Sequence, residues 1–247
     1  MTFDPYAFGA GALSFALAFI AAGAVVWRRL DELGKPVDWA YEMGFAALLG
    51  GLIGARGDFI LENYDDVKHD LLGNIFSGSG LVWYGGAIGG AIAVFLWAWW
   101  RNYLTLGLLD LAAPALALGY AIGRCGCQVS GDGDYGKAWD GPWAMSYPDG
   151  TKPIDTPVHP TPVYETLMMG LVALILWRLR DQLTNGLLFA LYLLLAGTER
   201  FLVEFLRRNE DVAIGLTQAQ LISLVMMIAG GLWLLLAFRR APRPATA

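Results

Sequence analysis

Seven predominantly apolar stretches, 8–27, 37–57, 82–100, 104–124, 162–179, 186–205 and 216–238, alternate with polar segments along the chain. About 20 apolar residues carry a helix across a bilayer. The pattern therefore predicts an all-α integral membrane protein, a bundle of about seven transmembrane helices. Two spans carry an acid, Glu42 in the second and Asp110 in the fourth, and the fifth is short.

Positive charge in the connecting segments sets the orientation. Arg28, Arg29 and Lys35 follow the first span, Arg101 the third, Arg178 and Arg180 the fifth, and Arg239, Arg240 and Arg243 the last. On the other side lie Asp4, the acidic run Asp58, Glu62, Asp65, Asp66 and Asp70, and the long polar loop 125–161. This alternation predicts an outer N-terminus and a cytoplasmic C-terminus, with Glu42 and Asp110 near the cytoplasmic ends of their helices. Five arginines run against the rule. Arg56, Arg124, Arg200, Arg207 and Arg208 fall at or beside the outer ends of spans, where topology disfavours them, so something on that face requires cations.

Composition agrees with a membrane protein. The 247 residues are 56 % hydrophobic and 16 % charged, against about 25 % charged in soluble domains. The net charge of −5 says little, because the placement of charges matters more than their sum. No basic patch interleaved with aromatics points to nucleic acid. Met1 to Tyr6 contains an acid and no Lys or Arg, so no cleavable signal peptide is expected. Gly50 and Gly54, Gly85 and Gly89, Gly86 and Gly90, and Gly119 and Gly123 stand four apart within spans, a spacing that lets helix backbones approach closely. With no internal repeat and no linker, a single polytopic domain over 1–247 is expected, the loop 125–161 forming at most a small extracytoplasmic cap.

Four constellations carry candidate chemistry. Arg124 ends the fourth span and runs into Cys125-Gly126-Cys127-Gln128-Val129-Ser130-Gly131-Asp132-Gly133-Asp134. It offers a donor fork suited to phosphate, beside acids that accept hydrogen bonds; the alternative is a snorkelling anchor followed by a turn. Arg200, Glu204 and Arg207 or Arg208 share one helical face at i, i+4 and i+7 or i+8, either as a charged stripe facing the bundle or as a structural ion-pair ladder. His159-Pro160-Thr161-Pro162-Val163-Tyr164-Glu165 leads into the fifth span. There Pro162 is tolerated in the first turn, Thr161 is placed to cap it, and His159 is a proton carrier or a satisfied structural group. The other histidine, His69, lies in the acidic outer loop. Trp83 and Tyr84 open the third span, either as an interface belt or with Tyr84 presenting its hydroxyl to a ligand.

The neighbouring Cys125 and Cys127 are too close for a relaxed disulfide and lack further zinc ligands, so both are expected as free thiols. No Ser-His-Asp triad, P-loop or dinucleotide fingerprint is present. Neither a metal nor a cofactor is expected. Arginines gathered at one membrane face, with carboxylates, one His and one Tyr nearby, suit the phosphate of a lipid.

Taken together these stretches resemble the prolipoprotein diacylglyceryl transferases of the bacterial cytoplasmic membrane. Gly54-Ala55-Arg56-Gly57-Asp58-Phe59 is similar to that family's G-x-R-x-G-Y block, and Trp83-Tyr84-Gly85-Gly86-Ala87-Ile88-Gly89 stands at its H-G-G-x-x-G block. Gly123-Arg124-Cys125-Gly126 through Asp132 resembles G-R-x-G-N-x-x-N-G-E. His159 through Glu165 resembles H-P-[TS]-Q-x-Y-E, and Arg200 through Arg207 resembles R-x-x-x-E-x-x-R. The blocks come in order over most of the chain, and the family's seven spans, outer N-terminus and inner C-terminus also agree.

The resemblance implies transfer of the diacylglyceryl group of phosphatidylglycerol to the lipobox cysteine of a prolipoprotein signal peptide, with release of glycerol phosphate. It implies a multi-pass protein of the bacterial inner membrane with its site toward the extracytoplasmic face. Carried over residue by residue, the catalytic group is Arg124, Arg200, His159, Asp132 and Tyr84. The substrate-binding group is Arg56, Tyr164, Glu204, Arg207, Arg208 and Ser130. This chain departs from the family pattern at Tyr84, where the family has histidine, at Cys127 and Ser130 for asparagines, at Asp132 for glutamate, and at Pro162 for glutamine. The phosphate-binding half is thus retained and the proton-handling half altered. Two readings stay open: a divergent lipid transferase, or a non-catalytic or differently specific membrane homologue that binds anionic phospholipid or a lipoprotein precursor.

Overall fold

The computed structural model describes residues 5–68 and 82–240. Asp4, His69, Asp70 and Arg243 lie outside them. Among the described residues there are seven long helices: α1 (Pro5–Glu32), α2 (Trp39–Glu62), α3 (Trp83–Trp100), α4 (Leu106–Ser130), α5 (Thr161–Leu179), α6 (Leu187–Glu204) and α7 (Gln218–Arg240). Each falls on one of the seven apolar stretches. Five of them, α1, α2, α4, α5 and α7, are long and apolar enough to cross a membrane. The apolar part of α3 is shorter, Tyr84–Trp100, and α6 carries Glu199, Arg200 and Glu204 within its 18 residues.

Two boundaries differ from the sequence expectation in a way that matters for the site. Helix α4 continues beyond 124 to Ser130, so Gly126 is helical and the loop begins only at Gly131. Helix α6 stops at Glu204, and the backbone N–H groups of Leu206 and Arg207 donate to the carbonyls of Val203 (2.9 Å) and Glu204 (3.1 Å). Arg207 and Arg208 therefore follow the helix in a tightened turn, where a continuous helical face was expected.

Residues 27–108 form one compact unit. Within it α2 and α3 pack antiparallel and very closely. A Cβ on Gly54 would run into the carbonyl oxygen of Gly85, and one on Gly89 into that of Gly50, so the small-residue spacing has its reason in backbone contact. At the far end of this pair Glu42 accepts from Trp97 Nε1 (2.7 Å) and Arg101 Nε (2.8 Å). An acid inside an apolar helix is thereby neutralised by its neighbour.

The second unit contains residues up to 26 and from 109 onward. Ala113, Ala117 and Ala121 of α4 pack on Met169, Val172, Ala173 and Leu176 of α5 and on Leu188 and Ala196 of α6. The spacings, fours on α4, threes and fours on α5 and eight on α6, are those of facing helical stripes. Gly197 abuts the Ser223 carbonyl of α7, where a Cβ would stand 2.9 Å from the oxygen. Asp110 of α4 accepts from the backbone N–H groups of Gly186 (2.8 Å) and Phe189 (3.1 Å). It supplies the cap that the α6 N-terminus lacks from its own sequence.

Between α4 and α5 the chain forms a small cap with the antiparallel hairpin β1 (Met145–Tyr147) and β2 (Ile154–Val158). Tyr135 stacks on Tyr147 at 5.0 Å, and both close over Val158. A second hairpin, β3 (Asp211–Ala213) and β4 (Leu216–Thr217), joins α6 to α7. Its turn residues Ile214 and Gly215 both have positive φ, as a two-residue hairpin turn requires. The helical reading did not foresee these hairpins, which are too short to leave an alternating pattern in the sequence.

Candidate active site

Three arginines meet three carboxylates where α4 ends, α5 begins and α6 runs out. Arg124 projects from α4, six residues before its end at Ser130, with its guanidinium over the ring of Tyr120 one turn earlier (4.9 Å) and Nη2 3.0 Å from the Tyr120 hydroxyl. Arg200 lies in the last turn of α6, and Arg207 in the turn beyond it. All three converge on Glu165, which is fully buried in the second turn of α5. Arg200 Nη1 is 3.1 Å from Oε1; Arg124 Nε and Arg207 Nη1 are 3.2 and 3.5 Å from Oε2. The Tyr120 hydroxyl donates to Oε1 at 2.9 Å.

Glu204 holds the cluster from below. Its Oε2 pairs with Arg200 Nη2 at 2.7 Å, and its Oε1 accepts from Asn209 Nδ2 (2.6 Å) and the Thr217 hydroxyl (2.8 Å). Asp134, on the loop after α4, pairs with both Arg124 and Arg207. Burial alone would raise the Asp134 carboxyl, but the two guanidiniums outweigh it and hold the group below the ordinary carboxylate range. Removing buried charges from water is costly unless each is paired and hydrogen bonded. Here each guanidinium meets two or more carboxylates, so the cluster is rigid and preorganised.

Thr161 does not cap α5. It is buried as the first helical residue, and its hydroxyl donates to the Asp134 carbonyl at 2.6 Å. It therefore ties the Asp134 backbone to α5. Asp132 accepts from the Asp134 backbone N–H at 3.1 Å and shapes this loop, where Gly131 and Gly133 take positive φ of 54° and 99°. Ser130 is buried; its hydroxyl turns back to the Cys127 carbonyl (3.4 Å), and its own carbonyl accepts from the Thr151 amide (2.8 Å).

A second, aromatic group stands at the mouth of α5. His159 stacks on Trp139 with centroids 4.3 Å apart, and its Nδ1 is 3.3 Å from the Tyr164 hydroxyl. That hydroxyl accepts from Trp143 Nε1 at 2.8 Å. Arg208 is exposed, with its guanidinium 4.5 Å from the Tyr135 ring centre. Arg56 and Tyr84 belong to the other compact unit. Within that unit Arg56 is buried on α2 with its guanidinium 4.8 Å from the Phe59 ring centre, and Tyr84 is exposed at the start of α3.

The structure thus joins Arg124, Arg200, Glu204 and Arg207 in one network, with His159 and Tyr164 as a neighbouring pair. Sequence reasoning passed over the residues at the centre. In the sequence Glu165 is only the last residue of the His159–Glu165 stretch, Asp134 only one of the acids after Arg124, and Tyr120 one more aromatic in an apolar span. An acid inside an apolar helix is itself a signal, and it would have singled out Glu165. It would also have singled out Glu199, which is 4 % exposed and whose Oε1 has no hydrogen-bond partner among the described residues.

Cys127, Asp132 and Asp134 bring possible metal-ligand atoms within 4.8 Å of one another. Both Asp134 oxygens are already engaged by guanidiniums, and Arg124 Nη1 stands 3.7 Å from Cys127 Sγ. Fixed positive charge at this distance opposes a cation and favours an anion. Chemically, the cluster is suited to holding a phosphate-sized group by planar donor forks and to stabilising charge that develops on it.

Comparison with known proteins finds a family match. Residues 3–236 match the family model described as prolipoprotein diacylglyceryl transferase. The chain is 32 % identical over 228 residues to the phosphatidylglycerol–prolipoprotein diacylglyceryl transferase of Clostridium tetani, covering 90 % of each protein. It is 33 % identical over 222 residues to the like-named protein of Methylobacillus flagellatus, with 87 % of this chain and 82 % of the relative covered. A third, from Methylococcus capsulatus, is 31 % identical over 258 residues, 96 % of both.

Proposed function

The chain belongs to the prolipoprotein diacylglyceryl transferase family, and from that premise we propose that it moves the diacylglyceryl group of phosphatidylglycerol onto the lipobox cysteine of a prolipoprotein. It is a membrane-embedded transferase. In the proposed reaction the thiol sulfur attacks the glyceryl carbon that carries the phosphodiester. A carbon–sulfur bond forms, the carbon–oxygen bond breaks with its electron pair passing to the phosphate oxygen, and glycerol phosphate leaves.

The observation that carries this reading is the convergence of Arg124, Arg200 and Arg207 on one point. The departing phosphate gains negative charge, and guanidiniums fixed beforehand in a poorly hydrated site stabilise it without reorganisation. Arg124 and Arg200 hold the phosphate; Glu204 and Glu165 hold the arginines. The thiol must give up its proton, because the thiolate is the nucleophile. His159 or Asp132 receives it, with His159 oriented by its stack on Trp139 and its contact with Tyr164. By resemblance to the family, Arg56, Tyr164, Ser130 and Arg208 are assigned to substrate binding and Tyr84 to catalysis. The seven helices form one polytopic domain with an outer N-terminus and a cytoplasmic C-terminus. This puts the site at the extracytoplasmic face of the inner membrane, where the lipid enters sideways from the bilayer and the prolipoprotein signal peptide presents its cysteine.

The test is functional replacement. In a bacterium depleted of its own transferase, expression of this chain should restore the lipid-dependent mobility shift and [3H]palmitate labelling of a reporter lipoprotein. Expression to normal levels without labelling would refute the assignment.

A further inference from the structure

The arginines assigned to the lipid phosphate are not vacant. Arg124, Arg200 and Arg207 face Asp134, Glu165 and Glu204, three formal positive charges against three negative ones. Adding a phosphodiester to a balanced cluster in a low-dielectric site leaves one negative charge uncompensated, which is costly. A carboxylate has to yield.

The three acids are not equal candidates. The side chains of Glu165 and Glu204 are 0 % exposed and grow from helices. Glu165 is fixed by Tyr120 as well as the arginines, and Glu204 by Asn209 and Thr217. Asp134 comes from a loop, its side chain is 34 % exposed, and its carboxylate oxygens meet only the two guanidiniums among the hydrogen bonds of the described residues. Its backbone is anchored independently, through its carbonyl to Thr161, its N–H to Asp132, and the buried Tyr135 next to it. A χ1 rotation would therefore carry the carboxylate toward water while the loop stays in place.

We propose that Asp134 is a specificity-determining residue, an internal counter-anion bridging Arg124 and Arg207 that the lipid phosphodiester must replace to bind. This rests on the phosphate-site reading above. Only a group that engages both guanidiniums can compete with a bidentate carboxylate. A net-anionic headgroup does so and leaves the cluster neutral once Asp134 has turned out. A zwitterionic headgroup brings its own ammonium, which Asp134 can follow, so the exchange gains less. Asp134 thereby sets the threshold that separates anionic from zwitterionic lipids.

Lipid titration into the purified full chain in a non-ionic detergent tests this, with phosphatidylglycerol, phosphatidylcholine and free glycerol phosphate as probes. Asp134→Asn keeps the shape and removes the competing charge. It should bind phosphatidylglycerol at least about fivefold more tightly than the wild type, glycerol phosphate likewise, and discriminate less against phosphatidylcholine. Unchanged or weaker phosphatidylglycerol binding by Asp134→Asn, or a gain confined to glycerol phosphate, overturns the proposal.

Arg124→Ala separates the two layers. If it binds phosphatidylglycerol as well as the wild type, the phosphate site itself is misassigned. If it loses binding while Asp134→Asn equals the wild type, only the role of Asp134 falls. Carbodiimide labelling of the wild type, mapped by mass spectrometry, needs no variant. Phosphatidylglycerol should increase modification at Asp134 and phosphatidylcholine should not; equal or reduced modification with phosphatidylglycerol contradicts displacement.

Discussion

Glu165 accepts from Arg200 across the α5–α6 boundary, Oε1 to Nη1 at 3.1 Å, and does so while fully buried. The same carboxylate also meets Arg124, Arg207 and Tyr120, so it is the hub that fixes the arginines. Glu165→Ala should destabilise the protein by about 3–5 kcal/mol, the usual cost of leaving buried charges without their partner. Transfer should be lost with it. A thermal scan in detergent checks the first, and a midpoint equal to the wild type would show that Glu165 is not the hub.

Arg124 has two distinct tasks in the network, a Nε contact with Glu165 and a Nη1 pair with Asp134. Lysine supplies one compact charge and no planar fork. Arg124→Ala and Arg200→Ala should reduce transfer below detection while the protein still inserts, and Arg124→Lys should recover less than about a tenth of the wild-type rate, a loss of at least about 1.4 kcal/mol in transition-state stabilisation. Activity of Arg124→Lys near the wild-type level would mean that a point charge suffices.

Asp134 gives stability a pH dependence with a definite sign. Its folded carboxyl titrates below the ordinary value because Arg124 and Arg207 outweigh burial. The ion pairs are therefore fully formed above the ordinary aspartate range, and their contribution is lost as pH falls through the depressed folded value. Between about pH 6 and pH 3 the wild-type midpoint should fall more steeply than that of Asp134→Asn. Parallel curves would show that Asp134 contributes nothing on the acid side.

Gly54 has no room for a side chain, since its Cβ position meets the Gly85 carbonyl and the Gly89 Cα across the α2–α3 contact. Gly54→Val should force the two helices apart and cost about 1–3 kcal/mol, as overpacking of a tight contact does. Gly57, whose Cβ direction is open, should accept alanine with no loss. Equal behaviour of Gly54→Val and Gly57→Ala in a protease-protection assay would contradict the close approach.

What the sequence made legible was whatever has a period or a length. The apolar runs mark all seven long helices of the described residues, and glycines four apart mark the α2–α3 contact. Arg124, Arg200, Glu204 and Arg207 were visible because a charge at the end of an apolar run is unusual. What was hidden depends on where the chain turns. Helix α4 runs through Gly126 to Ser130 because tertiary packing overrides the low helix propensity of glycine, and this brings Asp134 rather than Asp132 onto Arg124. Likewise α6 ends at Glu204, so Arg208 faces Tyr135 while Arg207 turns inward. Spacing along an ideal helix could not distinguish the two. Glu165 was readable in kind, as an acid within an apolar span, but its partners come from two distant segments, α4 and the end of α6, and no local pattern names them.

In the proposed reaction three preorganised arginines serve a diacylglyceryl transfer. The most direct measurement is a reconstituted reaction of the purified chain with phosphatidylglycerol and a lipobox peptide, analysed by mass spectrometry for the thioether-linked diacylglyceryl peptide and for glycerol phosphate. Both products should appear in equal amounts with the wild type and vanish with Arg200→Ala. Binding of phosphatidylglycerol without either product would contradict the account and leave a lipid-binding homologue in its place.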